Sequence, residues 1–144
     1  MPASISEQII VKMMDVLRAQ GIEKVYRSKT SATKLSAGEI VVSVRFAGEE
    51  SPVYQSDRIL KRQMRVEITA LTQSEAPDQA LDETRQAIVR GLMADRAFGN
   101  LVVAVGEDAT QMSFDDASPP IGELSMNFGV LYLAPVGSLI QRVT

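Results

Sequence analysis

Leu-Ser-Met-Asn-Phe-Gly-Val-Leu-Tyr-Leu-Ala, residues 124–134, carries an apolar side chain at every second position. Successive side chains of a β-strand point to opposite faces of the sheet, so this alternation predicts a strand with one buried face. Residues 60–70 show a similar alternation. Two long, half-buried strands favour an antiparallel sheet with one face exposed to water. The apolar face of the second run comprises Leu60, Met64, Val66, Ile68 and Ala70.

Two other segments have the spacing of amphipathic helices. Residues 6–20 repeat apolar side chains at helical intervals between Ser6, a favourable N-cap, and Gly21, a favourable stop. A second helix is expected to begin near Ser74, with Pro77 in its first turn. Two helices are enough to cover one face of the predicted sheet.

The remaining segments complete the order helix, strands, helix, strands. Shorter strands are expected at residues 40–46 and 101–105, and residues 111–114 are an alternative strand extension. This order predicts an α+β fold of two layers, a mainly antiparallel β-sheet with two helices packed on one face. Residues 1–144 are expected to form one domain, with residues 1–5 and 136–144 as terminal extensions. Polar segments are expected to form loops at residues 27–38, 48–56 and 106–121.

The composition excludes several classes of enzyme. The 144 residues include no Cys, His or Trp, so thiolate and imidazole groups are absent as metal ligands, nucleophiles and bases. The first residues lack the basic and apolar regions of a signal peptide, and no apolar run approaches the roughly 20 residues of a membrane span. We therefore expect a protein of the producing cell's cytosol, with no membrane partner.

Charge is unevenly distributed along the chain, although the net charge is only -3. Residues 18–65 carry ten basic and five acidic side chains, whereas residues 66–123 carry three basic and eleven acidic ones. One interpretation is that these charged side chains simply lie on the water-exposed faces of a sheet and a helix. The alternative is a bipolar molecule whose two ends meet different partners.

Candidates for chemistry are few. The acidic pairs Glu107-Asp108 and Asp115-Asp116 offer oxygen ligands for Mg²⁺ or Ca²⁺, but their spacing is unlike a Ca²⁺-binding EF-hand loop. A basic cluster over residues 58–65 offers phosphate contacts, but no aromatic side chain lies between its members as in single-strand binders. The sequence thus argues against a cofactor, a metal site and direct nucleic-acid binding.

The chain resembles the tail terminator proteins of long-tailed bacteriophages, the family of the lambda minor tail protein U. The resemblance covers residues 6–135 and rests on the order of the helices, strands and loops and on the kinds of residue in each. The segments that carry it are an N-terminal amphipathic helix, the strand at residues 39–44, the long strand at 63–71, the loop and helix start at 76–82, the helix end at 93–95, the acidic segment 115–117 and the last strand at 124–133.

This resemblance implies a structural virion protein rather than an enzyme. Members of the family form a six-membered ring that caps the tail tube, stops its polymerisation and offers a surface for the head-side connector. The implied partners are five further copies of the chain, the tail tube protein and the head–tail connector protein. The implied location is the head-proximal end of the tail, after assembly in the cytoplasm of a bacterial host. The alternatives are a tube subunit, a head–tail connector and, more distantly, a metal-dependent enzyme with Asp and Glu ligands.

Eleven charged residues are candidates for partner binding, with a solvated surface as the alternative for each. The basic loop contributes Arg27, Lys29 and Lys34. Candidates for a subunit contact or the ring lumen are Arg58, Lys61, Arg62 and Arg65. The acidic segment contributes Glu107, Asp108, Asp115 and Asp116.

Overall fold

The computed structural model describes residues 3–27, 36, 38–94 and 98–140, and these residues confirm the predicted α+β class. They form two helices, α1 (Ile5–Ala19) and α2 (Pro77–Leu92). They also form six strands: β1 (Val25–Tyr26), β2 (Ile40–Glu49), β3 (Val53–Tyr54), β4 (Ile59–Gln73), β5 (Ala104–Asp115) and β6 (Ile121–Pro135).

The sheet is built around β4 and β6. These two strands pair antiparallel along their whole lengths, from Ile59 opposite Pro135 to Gln73 opposite Ile121. The strand order is β1-β2-β4-β6-β5, and β3 pairs with the first residues of β4 beyond the end of β2. Only the short β1 pairs in parallel, so the described sheet is mainly antiparallel, as predicted.

The alternation seen in the sequence divides the sheet into two faces. Every even-numbered residue of β6 from Gly122 to Ala134 is buried, and those from Leu124 onward join one hydrophobic core with buried residues of both helices. We call this side the core face and the other side the opposite face. Residues of β4 on the core face, such as Met64 and Ile68, are fully buried. Burial of these side chains is the main source of folding free energy.

Both helices begin at different residues from those that the sequence predicts. Ser4, not Ser6, caps α1, because its Oγ accepts a hydrogen bond of 3.2 Å from the backbone N–H of Glu7. The cap of α2 is Ala76, which has no side chain to accept such a bond, and Ser74 lies two residues before it. Pro77 needs no partner for an N–H group, so the start of α2 tolerates the missing cap.

The prediction of a loop at residues 106–121 is wrong for residues 106–115, which belong to strand β5, and the alternative of a strand extension at residues 111–114 is confirmed. Glu107, Asp108 and Asp115 therefore lie on a strand, and only residues 116–120 connect it to β6. Ten of the 12 residues of β5 are exposed and none is buried. A strand with water on both faces needs no alternation of apolar residues, so periodicity does not reveal it.

A bulge in β2 changes which side chains reach the core face. The register shifts between Phe46 and Gly48, so that Phe46 pairs with Val66 and Glu49 pairs with Met64. Gly48 has a φ of +131°, a conformation that favours glycine. As a result, the carboxylate of Glu49 lies on the same face as Met64 instead of on the opposite face.

The start of α2 packs closely on β6 at Gly122. A Cβ atom built on Gly122 would lie 2.8 Å from Leu81 Cδ1 and 2.9 Å from Pro77 Cβ. The position therefore requires the smallest residue, because the proline ring cannot move away as a flexible side chain does.

We expect Gly122→Ala to lower the free energy of unfolding by about 1–3 kcal/mol, since the added methyl group forces α2 away from the sheet. Gly106→Ala is the matched control on the neighbouring strand, where an added Cβ meets nothing within 4 Å. Its free energy of unfolding should stay within about 0.5 kcal/mol of the wild type. Urea denaturation measures both, and equal effects would contradict the packing at Gly122.

Candidate partner-binding surfaces

One end of the sheet gathers acidic side chains from two separate parts of the chain. Asp115 is the last residue of β5 and Asp116 follows it, whereas Glu75 and Asp78 lie at the start of α2. Two hydrogen bonds hold these parts together, from the backbone N–H of Ser74 to the Pro120 carbonyl and from the Gln73 side chain to the Pro119 carbonyl. All four carboxylates are exposed. We call Glu75, Asp78, Asp115 and Asp116 the acidic end.

The carboxylates of the acidic end have no ion-pair partner among the described residues. Asp78 lies in the first turn of α2, where a negative charge also stabilises the helix. The other three, Glu75, Asp115 and Asp116, lie outside α2. Their negative charge is therefore available to a basic partner.

The other end of the long strands combines basic and apolar side chains. Val53 and Tyr54 of β3 are 62% and 66% exposed. Arg58 and Lys61 lie next to them, and the backbone N–H of Val136 donates to the Arg58 carbonyl at 2.9 Å. We call Val53, Tyr54, Arg58, Lys61 and Val136 the β3 end. The strands β4 and β6 are 15 residues long, so about 50 Å separates the two ends.

Arg62 differs from the other basic candidates because it lies on the core face. Its Nη1 is 3.5 Å from Glu49 Oε2, and only 17% of its side chain is exposed. Glu49 also accepts a hydrogen bond from the hydroxyl of Tyr132, which is buried. The Arg62 Nε atom is buried without a described partner. Arg62 and Glu49 thus belong to a polar cluster inside the fold.

Burial raises the pKa of Tyr132 above its usual value of 10.0, and the hydrogen bond to Glu49 raises it further. The neutral phenol is the form that both effects favour. Tyr132 therefore donates a hydrogen bond to the Glu49 carboxylate and connects β6 to the bulged end of β2.

Arg27 binds the beginning of α1. Its two terminal nitrogens lie 2.8 Å from the two carboxylate oxygens of Glu7. Both side chains are more than 40% exposed, so solvent screens this pair and it contributes little to stability. Lys29 and Lys34, the other candidates of the basic loop, lie outside the described residues.

Arg65, Glu107 and Asp108 line one shallow depression, which the sequence did not predict. Its floor contains Gly106 and Gly129, which pair in register across β5 and β6. Arg65 has no ion-pair partner among the described residues. Three of the eleven candidates therefore lie together in this depression. Asp115 and Asp116 lie together at the acidic end. Arg27 lies apart from both groups.

Exposed apolar residues are the part of these surfaces that sequence reasoning missed. Val53 and Tyr54 follow Pro52 in a polar stretch, and Met112 and Phe114 alternate within β5 at 37% and 54% exposure. Isolated apolar residues in a polar segment were the available signal. Exposed apolar residues grouped in one area are typical of interaction surfaces.

In the part of the chain that the structure describes, no three Asp or Glu side chains come close enough together to hold a metal ion. Neither described helix is long and apolar enough to cross a membrane.

Comparison with known proteins gives a likeness in fold. No protein-family model and no curated protein sequence matches the chain. A chain in the solved structure of the virion of a native gene transfer agent (GTA) particle is similar, with a TM-score of 0.57 and 11% sequence identity. The match covers 89% of this chain and 90% of that chain. The likeness therefore extends over nearly the whole of both folds.

The Tyr132–Glu49 contact predicts a dependence of stability on pH. Because folding raises the pKa of Tyr132, its contribution is complete below pH 10 and is lost as the pH rises further. The wild type should therefore lose free energy of unfolding above pH 10 more steeply than Tyr132→Phe, by at most about 1.4 kcal/mol per pH unit.

Urea denaturation between pH 8 and pH 11 measures this difference in slope. Tyr54→Phe, which changes an exposed tyrosine, is the matched control and should follow the wild type. If Tyr132→Phe has the same slope as the wild type, the burial of a neutral phenol beside Glu49 is contradicted.

Proposed function

We propose that this chain is a structural protein of a phage-like virion, and that it forms a ring which caps the tail tube. In this role the ring stops polymerisation of the tube and provides the surface to which the head is joined. The observation that carries the proposal is the likeness in fold to a chain of the gene transfer agent virion, which extends over about nine-tenths of both chains.

The arrangement of the surfaces supports a position between two partners. The acidic end and the β3 end lie at opposite ends of β4 and β6 and differ in chemistry. A protein that joins the tube to the head needs two unlike surfaces facing in opposite directions. Complementary charge at such surfaces provides specificity and orientation.

The proposed partners are further copies of this chain, the tail tube protein and the head–tail connector protein. The proposed state is a ring of six copies at the head-proximal end of the tail, assembled in the bacterial cytoplasm. This role requires no catalysis, since subunit contacts alone end the growth of the tube.

Electron microscopy of particles from cells that lack this gene tests the proposal. We expect tails of irregular length that are not joined to heads, and tails of uniform length when the gene is restored. The purified protein should appear as closed rings. Uniform, joined tails in the absence of the gene would refute the role as a cap, and open tubes of the purified protein would identify a tube subunit instead.

Charge reversal at the acidic end gives a residue-level prediction. Asp115→Lys/Asp116→Lys should leave the free energy of unfolding within about 0.5 kcal/mol of the wild type, because both side chains are exposed and form no ion pair with a described residue. The same variant should reduce infectious or transducing particles at least about tenfold, the effect of losing about 1.4 kcal/mol of binding.

The matched control is Asp15→Lys/Glu83→Lys, which reverses two exposed acids on the helices outside the acidic end. We expect this variant to yield normal particles. A normal particle count from Asp115→Lys/Asp116→Lys would show that the acidic end does not bind a partner.

A further inference from the structure

Strand β5 lies at an edge of the sheet with an unpaired outer side. Its pairing partner is β6, and no backbone hydrogen bond from a described turn or loop reaches its outer side. Over 12 residues it presents a row of backbone donors and acceptors about 40 Å long. Such an edge is a template for pairing with another strand.

The second half of β5 lacks the features that protect sheet edges. A bulge between Glu107 and Thr110 interrupts the first half, which also carries two acids. From Thr110 to Asp115 the register with β6 is regular, and the segment contains no Lys, Arg or Pro. Its apolar members, Met112 and Phe114, are exposed although they share the face of the buried Leu124.

The other edge of the sheet is incompletely covered among the described residues. There, β1 pairs only with Val42 and Ser43, which leaves residues 44–49 of β2 without a described partner on their outer side. Phe46 lies in this segment, on the core face and 43% exposed. Each edge therefore carries exposed apolar side chains on the same face of the sheet.

The directions of the strands make the two edges compatible. Three successive antiparallel pairings separate β5 from β2, so the two strands run in opposite directions. A second copy placed beside the first in the same orientation would bring β5 antiparallel to β2. This contact would place Phe46 on the same face as Met112 and Phe114. Within one sheet Phe46 is level with Glu107, so the second copy must be displaced along the strands for the three side chains to meet.

The charges at the two edges are also complementary. From Ala104 to Phe114, β5 has two acidic residues, Glu107 and Asp108, and no basic one. The β1–β2 edge carries Arg27 and Arg45, whose side chains are 43% and 59% exposed and are each paired with one carboxylate, Glu7 and Glu67. Opposite charges favour this orientation over a symmetric contact between two β5 edges, in which acids would meet acids.

We infer that β5 pairs with the β1–β2 edge of a second copy of this chain, as an antiparallel continuation of the sheet. The inference rests on the proposed function, because it names the contact by which copies associate. Since the two edges differ, the contact is head-to-tail and leaves both ends of the long strands free for other partners.

A variant of β5 tests the contact without disturbing the core. Met112→Lys/Phe114→Lys places two charges at exposed positions of the edge, so the monomer should fold normally. Its self-association, measured by analytical ultracentrifugation over a range of concentrations, should be at least about tenfold weaker than that of the wild type. The control Val11→Lys/Met93→Lys changes two apolar residues of the helices, at 46% and 37% exposure, and should associate like the wild type.

Hydrogen exchange then identifies the edges, whatever their register. In the assembled wild type, the amides of residues 104–115 and 44–49 that point away from β6 and β4 should exchange at least about tenfold more slowly than in dilute monomer, because these gain a hydrogen bond at the contact. Amides of α1 should exchange equally in both states. Assembly without protection of β5, equal weakening by the control variant, or a chain that stays monomeric at millimolar concentration would each overturn the inference.

These outcomes are separate from those that test the proposed function. A protein that caps tails in cells but leaves β5 unprotected in its ring would refute this contact alone. A ring with β5 protected, from a gene whose loss leaves tails uniform and joined, would support the contact and refute the cap.

Discussion

The pairing of β4 with β6 is the interaction on which the rest of the structure depends. Fifteen residues of each strand align without a break, and their core-face side chains form the centre of the hydrophobic core. The register fixes every other contact, because a slip of one residue would turn Ile68 and Met126 to the opposite face. The strands also set the length of the molecule, and hence the distance between the acidic end and the β3 end.

The sequence predicted this pair well, for a physical reason. A half-buried strand must alternate, and residues 60–70 and 124–134 do so. The same logic found only residues 104–105 and 111–114 of β5, which is exposed on both faces, and it missed the cap of α2, where Ala76 offers no side-chain acceptor to recognise. Patterns of apolar residues indicate which side chains are buried. A strand that buries no side chains and is held only by backbone hydrogen bonds therefore gives no such pattern.

The arrangement of the candidate partner-binding residues could likewise be predicted only in part from the sequence. Position along the chain separated a basic half from an acidic half, but it did not show that Glu75 and Asp78 of the acidic half lie beside Asp115 and Asp116. The basic cluster of residues 58–65 splits, because alternation sends Arg62 to the core face and Lys61 and Arg65 to the opposite face. A bulge then supplies Glu49 as the partner of Arg62, which the sequence could not indicate since bulges leave no periodic signal.

The exposed surfaces that could bind partners lie in two directions relative to the strands. The acidic end and the β3 end lie along the strands, whereas the β5 and β1–β2 edges lie across them. In the proposed ring, contacts between copies use one direction and the other stays free for different partners; the rotation between neighbouring copies determines that the ring closes. The pairing of β4 with β6 sets both directions, since it determines where the strands end and which strands are left at the edges. The same register that buries the core therefore keeps the two sheet edges apart from the acidic end and the β3 end.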